Sequence, residues 1–159
     1  MSGSLVSLAV FLGLCFATAS SGAFFRPGAW YESLRKPSWR PPNRLFPPVW
    51  TVLYILIAVS GWLVWRERGG QDVTSAMTVY GVQLVLNFLW SAFFFGMRRM
   101  DWALVDIALL WLSVLALVAL FWPVSSLAAL LLLPYLAWVS FAAYLNLTML
   151  RLNAEEGTA

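Results

Sequence analysis

Histidine is absent from this chain of 159 residues, cysteine occurs once, and charged residues make up only 11%. Without His there is no imidazole to serve as general base, zinc ligand or haem axial ligand. A lone Cys15 excludes a disulfide scaffold. Soluble domains carry roughly 25% charged residues. With 62% hydrophobic residues, no soluble globule of this size could hide its apolar surface. The same hydrophobicity excludes disorder. The length suits a single domain, numbered 1–159. What the chain has in excess is tryptophan, ten in all, and their placement is the question.

Charge partitions the chain. Residues 4–25, 45–65, 73–97 and 123–150 carry none, and 102–122 carry only Asp106. Each stretch reaches the roughly 20 apolar residues that cross a bilayer. A helix satisfies its own backbone in lipid, and the alternating polarity of a strand barrel is missing. The expected fold is therefore all-α, a bundle of five transmembrane helices over about 4–25, 46–66, 73–97, 102–122 and 125–150. The first span resembles a signal peptide in its Ala17-Thr18-Ala19, but no Lys or Arg precedes its apolar run. It reads as a retained helix. Ala9, Gly13, Ala17 and Ser21 recur along it every fourth residue, a small-residue stripe suited to close helix packing. Intramolecular packing is the plainer reading of that stripe, and a dimer seam the sharper one.

Lys and Arg give an orientation. Arg26, Arg35, Lys36, Arg40, Arg44, Arg98, Arg99 and Arg151 fall on one side of a five-span topology, against Arg66 and Arg68 on the other. The positive-inside rule places the first loop and the C-terminus in the cytoplasm and the N-terminus outside, as in a bacterial cell membrane. The net charge of +3 is then a topology signal, and no nucleic-acid partner is implied.

Three connections are short. The first, about 26–45, is long and holds Pro27, Pro37, Pro41 and Pro42. Proline fixes φ and blocks helix propagation, so this loop is expected to be semi-rigid. Trp30, Tyr31 and Trp39 lie in it, and a long structured loop of this kind reads as a functional lid.

Trp62, Trp65, Trp102 and Trp122 sit at span ends, where interfacial aromatics anchor helices. Trp50 opens the second span, and Trp90, Trp111 and Trp138 lie deep within theirs. In the third span Tyr80, Gln83, Asn87, Trp90 and Phe94 share one helical face. Tyr135, Trp138, Ala142, Leu145 and Asn146 form a matching stripe on the fifth, and Trp50 and Tyr54 stand one turn apart on the second. Amides among aromatics in lipid read either as interhelical glue or as an aromatic-walled cavity for a small molecule, closed by the lid. Asp106 is expected to pair with a loop Arg and hold the lid, in preference to a proton relay, since the spans offer no further titratable chain.

The run Trp30-Tyr31-x-x-Leu34-x-Lys36-Pro37-Ser38-Trp39-x-Pro41-Pro42, continuing to Phe46, Trp50, Leu53 and Tyr54, resembles the tryptophan-rich sensory protein and mitochondrial translocator protein family, also called the peripheral benzodiazepine receptor family. The resemblance extends through Gln83-Leu84-x-Leu86-Asn87-x-x-Trp90, Trp102-Ala103-Leu104-Val105-Asp106 and Pro134-Tyr135-Leu136-Ala137-Trp138. It implies a five-helix membrane bundle, commonly a homodimer, that binds protoporphyrin IX and other tetrapyrroles, sterols and synthetic ligands between the helices. No cofactor is required and no metal set is implied; protoporphyrin IX is the expected ligand. The implied binding residues are Ser21, Tyr31, Trp39, Pro41, Trp50, Gln83, Asn87, Trp90, Trp138, Ala142 and Leu145. The family's sterol segment falls at Leu145–Arg151, with Leu147 in place of its Tyr and Arg151 kept. Some relatives degrade porphyrin in light, and Trp50 and Trp138 are the residues for such chemistry here. A proton-coupled exporter is the third class, and it would need a central acid.

Overall fold

Proline decides where several of the helices start and stop. The computed structural model describes residues 2–154, and no strand forms among them. The first stretch runs as α1 (Ser2–Ala19), a turn at Ser20, and α2 (Ser21–Phe24). The lid loop follows, with one short helix, α3 (Ala29–Ser33), and a 3-10 turn (Asn43–Leu45). Pro47 and Pro48 stand in the first turn of α4 (Phe46–Arg66). Their missing N–H groups cost nothing there, because first-turn N–H groups have no partner within the helix. α5 (Thr74–Ser91) ends in a π-helical turn (Ala92–Gly96), and α6 (Met100–Phe121) follows. Arg98 closes the intervening turn in the left-handed region at φ 56°. The last stretch is two helices, α7 (Ser126–Leu131) and α8 (Leu133–Asn153), rather than the single one expected. Pro134 offers no N–H to the preceding turn, so the helix breaks at Leu132.

Five stretches, Gly3–Phe24, Asn43–Gly69, Thr74–Gly96, Met100–Phe121 and Ser126–Asn153, are long and apolar enough to cross a membrane. Five such helices were expected, and five are found among the described residues. Their outer faces carry Phe16, Val85, Val105 and Leu112 in the open, while Ser60, Gln83, Asn87, Asp106 and Asn146 are buried inside. Lipid demands this arrangement, since its core offers polar groups no partner.

α4 and α5 both contact α1, and α6 lies between α5 and α8. α1 meets the bundle with Phe11, Cys15 and Thr18. Ala9, Gly13 and Ala17 instead face outward. The intramolecular reading of the small-residue stripe is thereby corrected: three of its four members lie on the opposite face of the helix, and Ser21 alone is buried. Trp62 Nε1 donates to Ser4 O at 3.0 Å, and Ser60 Oγ to Ala128 O at 2.8 Å, tying α4 to α1 and α7. Trp62 thus ties two helices together in addition to sitting at a span end.

The closest approach is at Gly61. Tyr80 donates to Ile57 O at 3.0 Å, which lays its ring over Gly61. A Cβ there would sit 2.6 Å from that ring and 2.9 Å from Phe11. Gly61→Ala is expected to lower stability by about 1–3 kcal/mol through overpacking. Gly81→Ala, which meets open space on α5, is expected to leave stability near that of the parent. Thermal unfolding of both variants in detergent checks the contrast.

Candidate functional site

The lid is held at two places. Asn153, at the end of α8, accepts from Arg35 N at 2.9 Å and donates to Arg35 O at 3.0 Å, taking both backbone groups of one loop residue. Tyr31 is the second anchor. It is buried, and its ring meets Phe94 and Phe95 edge-on at 6.3 and 5.4 Å. Lys36 Nζ lies 4.8 Å from the ring centroid, and Arg40 donates to the phenol at 3.2 Å and also to Asn43 Oδ1. Burial pushes the Tyr31 phenol above its ordinary range and the Arg40 charge opposes that shift, so the ring stays neutral beneath two cations.

From the lid an aromatic wall descends into the bundle. Trp39 stacks on Tyr144 at 5.3 Å and meets Phe141 at 5.8 Å. Phe141 meets Trp138 at 5.4 Å, and Trp138 also touches Phe46 at 5.7 Å and Trp50 at 6.4 Å, perpendicular. Trp50 stacks on Tyr54 at 5.4 Å. The spacing of Trp50 and Tyr54 on α4, and of Trp138 and Phe141 on α8, puts each pair on one helical face. Trp138 Nε1 is buried and has no acceptor among the described residues.

Below the wall lies a hydrogen-bonded layer. Tyr54 donates to Asn87 Oδ1 at 2.7 Å, Asn87 Nδ2 to Tyr135 at 2.7 Å, and Tyr135 to Gln83 Oε1 at 2.9 Å. α4, α5 and α8 are joined by these three bonds. A second tie runs from Trp90 Nε1 to Asn146 Oδ1 at 3.0 Å and from Asn146 Nδ2 to Met100 O at 2.9 Å.

The expected binding residues therefore divide. Trp39, Trp50 and Trp138 share the wall, and half-buried Ala142 packs beside it. Gln83 and Asn87 belong to the hydrogen-bonded layer. Tyr31 and Leu145 are buried together in a separate cluster with Phe94, Ala103 and Met149, against which Trp90 packs. Ser21 belongs to the α2–α5 contact and donates to Ser91 Oγ at 3.4 Å. Pro41 is half-buried in the lid, Leu147 half-buried on α8, and Arg151 exposed. Trp111 bonds Ser140 Oγ at 2.8 Å and so ties α6 to α8. Sequence reasoning overlooked Phe46, Phe141 and Asn153 as site residues. Phe141 carried a signal, three residues after Trp138. Asn153 carried none.

Asp106 departs from expectation. The face of α6 that carries Ala103, Ile107 and Leu110 also carries Asp106, and it turns inward. Asp106 is buried, and its Oδ2 has no partner among the described residues. The expected pairing with a loop Arg is corrected: Arg40 turns to Tyr31 and Asn43, and Arg99 pairs with the exposed Asp101 at 2.6 Å. Two cavities lie away from the wall. One, of about 800 Å³, is an apolar groove between α1 and α5; the other, of about 550 Å³, lies at the α4–α5 turn around Arg68 and Asp72.

Residues 8–152 match the model of the TspO/MBR family. The chain is 44% identical over 160 residues to the tryptophan-rich protein TspO of Chlorobaculum tepidum, covering 96% of this chain and 99% of that one. It is 43% identical over 158 residues to protein CrtK of Rhodobacter capsulatus, covering 96% of each. Against the translocator protein of Homo sapiens it is 44% identical over 126 residues, 78% of this chain and 75% of the other.

Asn153→Ala is expected to release the lid. Leaving the Arg35 backbone groups unpaired costs about 1–3 kcal/mol. Amide hydrogen exchange across 34–36 is expected to quicken while exchange within α4 and α5 stays as in the parent.

Proposed function

The chain belongs to the TspO/MBR family and is an integral membrane protein, and from that premise we propose that it binds porphyrins, protoporphyrin IX foremost, and related lipophiles such as sterols against the aromatic wall beneath the lid. The role is receptor- or transporter-like, with a regulatory or stress-sensing output. The observation that carries this reading is the Trp138 indole N–H, buried among rings with no acceptor among the described residues. A flat ligand stacked on the wall would supply apolar contact to Trp39, Trp50 and Trp138 and an acceptor to that N–H. Its carboxylates would meet the cations of the lid, Arg35, Lys36, Arg40 and Arg44. Stacking needs no axial ligand, which suits metal-free porphyrin in a chain without His. The uneven Lys and Arg distribution supports a cytoplasmic lid in a bacterial cell membrane. The outward stripe of Ala9, Gly13 and Ala17 supports a homodimer.

A second reading, light-dependent porphyrin degradation, draws on the direct contact of Trp50 with Trp138. One titration separates the two. Purified protein in the dark is expected to show saturable quenching of Trp fluorescence by protoporphyrin IX with the porphyrin spectrum unchanged. Trp138→Phe keeps a ring and loses the donor, so affinity is expected to fall about fivefold, the worth of one neutral hydrogen bond. Protein-dependent bleaching under light, lost in Trp50→Phe and Trp138→Phe, would favour the enzyme. No saturable quenching would sink both.

A further inference from the structure

We propose that the Asp106 carboxyl is a proton-binding site in the core of the bundle, and that its proton occupancy is linked to ligand occupancy of the aromatic wall. The linkage rests on the ligand-binding reading above; the proton site stands on the bundle alone. Asp106 is buried on an apolar face of α6 between Ala103, Ile107 and Leu110, and its Oδ2 has no partner among the described residues. A carboxylate so placed, with no ion pair among the described residues, is far costlier in lipid than the neutral acid. Protonation takes one proton from water and leaves a neutral group with one donor and a remaining acceptor.

The elements packed on α6 are α5, its π-helical turn, α7 and α8. Their titratable and charged residues are Tyr80 on α5, and Tyr135, Tyr144 and Arg151 on α8; α7 and the π-helical turn carry none. Tyr144 and Arg151 are exposed. Tyr80 bonds the Ile57 carbonyl, so Tyr135 is the phenol that connects Asp106 to the rest. It packs in the same buried cluster as Ile107 and Leu110, which flank Asp106 on α6, and donates to Gln83, whose fully buried Nε2 likewise has no acceptor among the described residues. Tyr135 also accepts from Asn87, which holds Tyr54 beneath Trp50. The charge state of Asp106 is thus felt in the layer on which the wall stands. An apolar ligand on the wall excludes water from that layer and raises the cost of the charged form. Ligand therefore favours protonated Asp106, and by reciprocity the proton favours ligand.

The full chain in lipid nanodiscs, carrying isotope-labelled aspartate, is followed by infrared spectroscopy across pH without ligand. Asp72 and Asp101 are exposed, so a protonated-carboxyl band that persists at neutral pH belongs to Asp106. The band is expected in the wild type, with loss on alkaline titration and absence in Asp106→Asn. Asp106→Glu, which retains a carboxyl, is expected to show the band moved out of the aspartate label. No band at neutral pH, or the same band in Asp106→Asn, overturns the proton site. Protoporphyrin IX affinity is then expected to fall about tenfold as pH rises through that titration, beyond any change in Asp106→Asn. Equal pH dependence in wild type and Asp106→Asn overturns the linkage. No saturable binding at any pH overturns the ligand reading and the linkage together, while the infrared band still decides the proton site.

Discussion

The three hydrogen bonds that run Tyr54 to Asn87 to Tyr135 to Gln83 hold the architecture in place. Between helices in lipid there is no hydrophobic gain to be had, because acyl chains are as apolar as leucine. Helix order must come from close packing and from polar groups that find partners only in one arrangement. These four side chains come from α4, α5 and α8, and each satisfies another. Gly61 supplies the packing half. It lets the Tyr80 ring approach α4 closely and bond a backbone carbonyl.

On this base the aromatic wall is a consequence of register. Tyr54 and Tyr135 are fixed by Asn87, and Trp50 and Trp138 stand about one turn from each along their helices. Their rings must then face one another. The lid adds Trp39 from outside, held by the Asn153 clasp and by Tyr31 under its two cations. Opening the lid would break the Asn153 clasp, expose the buried Tyr31 ring and unstack Trp39 from Tyr144, whereas the bundle below would have to exchange its polar ties to move.

The tryptophans divide by what their N–H groups reach. Trp62, Trp90 and Trp111 donate to Ser4, Asn146 and Ser140, so they are ties between helices. Trp138 has no such acceptor among the described residues. Periodicity could place Trp90 and Trp138 on inward faces but could not tell these two fates apart, since both depend on what stands opposite. The same holds for Asp106. Its place near the end of a span suggested a pairing with a loop Arg, and only the rotation of α6 shows it turned to the interior with no partner for Oδ2 among the described residues.

From the sequence alone came five apolar stretches, their helical character, the Pro-rich lid and the faces on which Gln83, Asn87, Trp50 and Trp138 lie. These are local properties: length against bilayer thickness, periodicity against helix pitch, and the effect of Pro on its own neighbours. The break at Leu132 is local too, since it follows from Pro134, although the periodicity had suggested one continuous helix. Which face of α1 packs inward, which tryptophans tie helices, where Asn153 reaches and that Asp106 is buried with no ion pair among the described residues were decided by tertiary structure. Each is a relation between residues far apart in the chain, set by how one helix is rotated against the next, and nothing in a single helix's sequence encodes that angle.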